Sequence, residues 1–240
     1  MRSLSPARHS PERDWRLLSA ATFLFSFGFA VYTAVFLNDI TEVLKVQPIQ
    51  MGLLESLREI PGLLSVAIAA IVAAHAETRI GAICLCLSAL GVAATGFVHS
   101  FTELVLVTVF WSVFMHQWFT SSSAIPLALS NGQDSGRHLG RLGGIGAAGT
   151  VLAFLIVRPL AGRVPYPAFF LGAGLVIFLG GLTLLLMSSA SATVGRPRLL
   201  YRREYRLYYL LRTYAVGASV MVGCRRYRRM ASRMRLVLAA

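Results

Sequence analysis

The sequence predicts an all-α membrane protein, a bundle of six transmembrane helices. Three observations predict it. The 240-residue chain is 56% hydrophobic and only 14% charged, with mean hydropathy +0.65, far more apolar than a soluble domain of this length. Its apolar runs approach or exceed the roughly 20 residues that cross a bilayer core. The runs are continuous and lack the period-two alternation of barrel strands.

The formal net charge is +13. From Arg196 onward there are twelve Arg and one acid, Glu204, which gives +11 and leaves +2 for the other 195 residues. Beside membrane spans such a basic tail marks the cytoplasmic side, and no nucleic-acid partner is expected. Of the three cysteines, Cys84 and Cys86 fall two apart in an apolar run, with no disulfide framework or zinc spacing.

Residues 1–14 form a polar segment expected in the cytoplasm. Helix one is expected over Trp15–Leu37, too long for the apolar core of a signal peptide. Phe23, Phe25, Phe27, Phe29 and Tyr32 crowd it as packing, lipid-facing or path-lining residues, and Asn38 and Asp39 end it. A loop over Ile40–Ile49 leads to helix two, Gln50–Ala74, which reads QMGLLESLREIPGLLSVAIAAIVAA. Its first half carries Glu55, Arg58 and Glu59 before Pro61. Spacings of three and four put all three charges on one helical face. Charges at membrane depth face a protein interior or a water-filled cavity, so the other five spans are expected to wall the space this face looks into. An interfacial charge cluster is the alternative, since Glu55 lies only a turn or so inside the span.

The turn His75–Arg79 precedes helix three, Ile80–Val98, and a tight turn follows over His99–Thr102. Helix four, Glu103–Leu129, holds a second polar cluster: Trp111, His116, Gln117 and Trp118. His116 either bonds a neighbouring helix or faces the cavity. Helix five, Leu139–Leu160, is entered by Gly136, Gly140, Gly144 and Ala148 at four-residue spacing, a ridge expected to pack tightly within the bundle. Helix six is Ala168–Met187. The transmembrane domain is therefore residues 15–190. Residues 191–240 form a basic tail in which Leu207–Cys224, interrupted by Arg212, is a doubtful seventh span. The Arg-rich segments alternate, which places both termini in the cytoplasm of a multi-pass protein, in the cell (inner) membrane.

The aromatic helix one, GLLESLREIPGLL in helix two, HQWFTSSSAIPLALS in helix four, GRHLGRLGGIGAAG entering helix five and YRREYRLYYLL in the tail resemble the amino-terminal half of a major facilitator superfamily transporter. The resemblance covers about Trp15 to Arg212. It implies transport of a small solute, with a path drawn from Tyr32, Glu55, Arg58, Glu59, His116, Gln117 and Trp118. Where the family carries a gating loop between helices two and three, this chain reads AAHAETRIG, and only Glu77, Arg79 and Gly81 stand in for it. Family members resemble two such halves, so the chain is expected to be a fragment, a truncated product, or one half that pairs with another chain or a second copy. The bilayer and a small solute are the other expected partners. No nucleophile–base constellation, metal cluster or nucleotide loop is visible, so no catalytic residue, metal or cofactor is assigned. A non-transporting membrane scaffold is the alternative, followed by a membrane-embedded enzyme using His116 with Glu55 or Glu59.

Overall fold

A computed structural model describes residues 11–72, 75–130 and 134–188. Each element among them is helical: α1 (Pro11–Glu42), α2 (Pro48–Val72), α3 (Glu77–Ala94) with a 3-10 turn (Thr95–Phe97), α4 (Phe101–Leu129), α5 (Ser135–Leu160) and α6 (Tyr166–Leu185). The tail, including YRREYRLYYLL and Leu207–Cys224, lies outside the described residues, as do the first ten residues.

Among the described residues, five of these helices are long and apolar enough to cross a membrane. Of the six spans expected, these are the five that the described residues show. The sixth, α2, is long enough at 25 residues. Its charged middle is what separates it from the others, since Glu55, Arg58 and Glu59 interrupt the apolar run. The chain is a multi-pass integral membrane protein on the strength of the other five.

Several helix ends differ from the sequence reading because polar groups there are tied down. α1 runs past Asn38 and Asp39 to Glu42, and Asp39 is buried. Tyr166 at the start of α6 donates to the Glu42 carboxylate at 2.6 Å, which joins two chain segments at one end of the bundle. At the other end Asp14, expected in a solvated segment, is 3% exposed. It accepts bonds from the amide and hydroxyl of Ser188, just beyond α6. α4 begins at Phe101, two residues before Glu103, because Ser100 accepts a bond from the Glu103 amide at 3.2 Å. Glu103 in turn accepts from the His99 amide at 2.7 Å. This reciprocal arrangement is close to a capping box.

The principal packing pairs are α1 with α5, α1 with α6, α3 with α6, α3 with α4, and α2 with α4. The pattern is unchanged when α1, α2 and α3 are exchanged for α4, α5 and α6. The centre of this arrangement is close-packed through small residues. A Cβ placed on Gly174 of α6 would sit 2.7 Å from the Ala89 carbonyl of α3, and one on Gly181 would sit 2.6 Å from Cys86 Sγ. Along α1, the rings of Phe25, Phe29, Tyr32 and Phe36 stack successively at 5.7, 5.8 and 4.9 Å.

The ridge expected on α5 is not used inside the bundle. Gly136, Gly140 and Gly144 have no neighbour within 4 Å of the position a Cβ would take. Gly146 and Gly149, out of register with that ridge, make the approach to α1: their Cβ positions lie 2.9 Å from Ser26 Oγ and from the Phe23 carbonyl. Four-residue spacing identifies a smooth face and says nothing of what meets it.

Candidate functional site

The charged stretch of α2 lies along α4. Arg58 is ten residues into α2, Ser112 eleven into α4, and Tyr32 ten from the end of α1. At about 1.5 Å per residue, all three lie about 15 Å from the same end of the bundle.

At that depth the Arg58 guanidinium meets Glu55 at 2.5 Å and Glu59 at 3.4 Å. The far carboxylate oxygen of Glu59 is 3.6 Å from His116 Nε2. The chain of contacts is therefore Glu55, Arg58, Glu59, His116, crossing from one helix to the other. Ser112, which the sequence reading did not single out, sits at the crossing. Its hydroxyl donates to the Arg58 carbonyl at 2.6 Å and lies 3.1 Å from His116 Nδ1. That nitrogen is also 2.9 Å from the Ser112 carbonyl. With Nδ1–H donating to this carbonyl, a neutral His116 presents Nε2 as an acceptor on the Glu59 side.

Two further residues make the crossing possible. Pro61 has no amide hydrogen and interrupts the backbone ladder of α2 one turn after Arg58. The carbonyl that loses its ladder partner is that of Leu57, four residues back, and the Ser112 hydroxyl meets the next one, that of Arg58. Gly62 leaves the space that the His116 ring occupies, since a Cβ there would lie 2.6 Å from Nε2. The local signals for Ser112 and Gly62 were a serine one turn before His116 and a glycine just after a proline.

The seam is only partly closed. The Arg58 side chain is 23% exposed and those of Glu55 and Glu59 each 30%. The five-walled cavity expected around this face is therefore corrected to a two-helix seam with an open side, because α2 packs chiefly on α4. With His116 neutral the cluster carries −1, and one proton on His116 brings it to zero. A net negative charge at this depth suits a cationic group.

Behind the seam lies a buried polar layer. Tyr32 is 1% exposed, and its ring stands 5.3 Å from that of fully buried Trp111. Among the described residues the Tyr32 hydroxyl, Trp111 Nε1, Thr108 Oγ1 and Arg58 Nε have no hydrogen-bond partner, nor has Gln117 Oε1. Each such group costs about 1–3 kcal/mol unless water or a solute meets it.

Comparison of the chain with family models, curated proteins and solved structures finds no match.

The remaining predicted positions fall elsewhere. Gln117 is buried, one residue beyond His116 and so turned about 100° away from the α2 side. Trp118 is core: it packs edge-on against Phe25 at 5.8 Å. Glu77, Arg79 and Gly81, the gating-loop candidates, lie in the opening turns of α3, which begins three residues earlier than Ile80. Glu77 accepts a bond from Ser121 of α4 at 3.3 Å and Arg79 is exposed. Gly81 is buried where a Cβ would lie 3.3 Å from the Trp118 ring. Among the described residues no group of three His, Cys, Asp or Glu is placed to hold a metal ion.

Proposed function

We propose that the chain is a membrane transporter of the major facilitator type for a small solute, working as one of two six-helix halves. The observation that carries the reading is the chain of contacts from Glu55 through Arg58 and Glu59 to His116, held midway along a helix pair and left open on one side. Charged side chains at that depth are expensive and mark pathways for ions or polar solutes. The exchange symmetry of the packing supports the same reading, since each six-helix half of this superfamily nests two three-helix repeats.

Alternating access of this type rocks one half against another around a midplane site. The open side of the α2–α4 seam would then be closed by a second six-helix unit, from another chain or a second copy. Both termini lie in the cytoplasm in this reading, in keeping with the Arg-rich alternate segments. A second reading, a packing scaffold without transport, is favoured by the open glycine face of α5.

The test is uptake by vesicles reconstituted with the purified chain. Vesicles are incubated with an isotopically labelled metabolite mixture, and their contents are read by mass spectrometry alongside Arg58→Ala vesicles. Saturable accumulation lost in the variant supports the transporter. Accumulation by crosslinked dimers alone supports self-pairing, and accumulation by monomers refutes the two-half requirement. Equal contents in both preparations and in empty vesicles refute transport.

A further inference from the structure

A cleft of about 550 Å³ opens between α1 and α5 at the end of the bundle where both helices begin. Its mouth is lined by Arg16, Arg141, Ser19, His138, Trp15 and Glu12, and its floor by Leu142 and Ile145. We propose that this cleft binds the phosphate headgroup of an anionic phospholipid. The proposal rests on the membrane-spanning character of α1 and α5 and is independent of the transport reading.

Four features point to this ligand. Arg16 and Arg141 outweigh Glu12, so the mouth carries +1 with His138 neutral. Neither arginine is ion-paired to a described residue, although both are exposed. α1 and α5 run parallel here, and α5 brings its first turn to the cleft at His138; the start of a helix favours an anion. The rings of Trp15 and His138 stack at 4.3 Å across the cleft, and Trp is favoured where headgroups meet hydrocarbon.

The fourth feature separates a lipid from a free anion. Arg16 lies five residues into α1, about 8 Å along it. Beyond the polar mouth the cleft turns apolar at Leu142, which is buried, and Ile145. Both flanking helices then continue as apolar spans. A charged mouth leading to hydrocarbon matches a phospholipid from headgroup to acyl chain, and basic clefts between transmembrane helices hold such headgroups. A soluble phosphate would gain nothing from the apolar floor.

The test is native mass spectrometry of the full chain in detergent, with added phosphatidylglycerol or phosphatidylcholine. Phosphatidylglycerol is expected to be retained in preference. Arg16→Gln and Arg141→Gln should each lower retention about fivefold, Arg141→Lys should keep most of it, and Arg163→Gln at the opposite end should change nothing. If a glutamine variant does not fold, retention by the unaltered chain in 0.1 and 0.5 M salt decides, because headgroup capture by charge must weaken with screening. Equal retention of the two lipids, equal loss in Arg163→Gln, or indifference to salt would overturn the proposal. So would displacement of the lipid by millimolar inorganic phosphate, which would assign the cleft to a free anion.

Discussion

The side chain missing from Gly62 is the space that His116 fills: a Cβ on that glycine would lie 2.6 Å from the imidazole Nε2. α2 and α4 are thereby held close enough for the Ser112 hydroxyl to reach the Arg58 carbonyl at 2.6 Å. Gly62→Ala is expected to force the ring or the helix aside. Overpacking a tight contact costs about 1–3 kcal/mol. Thermal unfolding in detergent should show that loss, and Gly62→Ala combined with His116→Ala should recover part of it. Additive losses in the double variant would mean that the two residues do not share the space.

Arg58 balances two carboxylates, Glu55 at 2.5 Å and Glu59 at 3.4 Å. Arg58→Ala leaves both without their cation. Removing one member of a buried pair costs about 3–5 kcal/mol, and the partial exposure here reduces the expected loss to about 1–3 kcal/mol. Exchanging the charges as Glu55→Arg with Arg58→Glu should restore part of the stability. An unfolding temperature unmoved by Arg58→Ala would show that the pairing contributes nothing.

Two helical glycines should respond in opposite ways. Gly174 meets the Ala89 carbonyl, and Gly140 has open space around it. Gly174→Leu should prevent α3 and α6 from closing, with loss of folded protein in size-exclusion chromatography. Gly140→Leu should leave the monomer folded with its unfolding temperature within about 0.5 kcal/mol of the original, as for surface positions. If crosslinking finds dimers in the unaltered chain and Gly140→Leu abolishes them, the open face is an interface between copies.

The helices alternate in direction, so the loops carrying Lys45, Ser100 and Gly162 should label from one side of the membrane. Arg79 and Asp134 should label from the other. Single cysteines at these positions, in a background lacking Cys84, Cys86 and Cys224, read this with an impermeant thiol reagent. Labelling of all five from one side would contradict a bundle threaded through the membrane. The position of α2 is the informative case, because its charges leave it outside the five apolar spans. If α2 does not cross, Lys45 and Arg79 should label from the same side.

Helix number, approximate bounds and the shared face of Glu55, Arg58 and Glu59 are local properties. They follow from apolar run length and from 3.6 residues per turn, and both are present in the sequence. The capping of α4 was equally legible in Ser100 and Glu103, an S-x-x-E pattern, though it moves the start of the helix by only two residues.

What meets each face was decided only in the folded chain. Four-residue spacing in the sequence favoured Gly136, Gly140, Gly144 and Ala148 as the packing ridge of α5. The bundle instead uses Gly146 and Gly149, because those are the positions that α1 presents Phe23 and Ser26 against. His116 carried two open readings, and the contact found is the one with a neighbouring helix: Nε2 lies 3.6 Å from Glu59 of α2, while Nδ1 lies 2.9 Å from the Ser112 carbonyl of its own helix. Glu77 and Arg79, expected in a turn, are helical because the α3 ladder begins at Glu77, and Trp118 packs where Gly81 lacks a side chain. Sequence by itself determined an apolar, helical, membrane-spanning chain with one charged helix face. The partner of that face depended on helix order and rotation. Those are set by close contacts between residues more than 50 positions apart, such as Arg58 and Ser112, which no local pattern encodes.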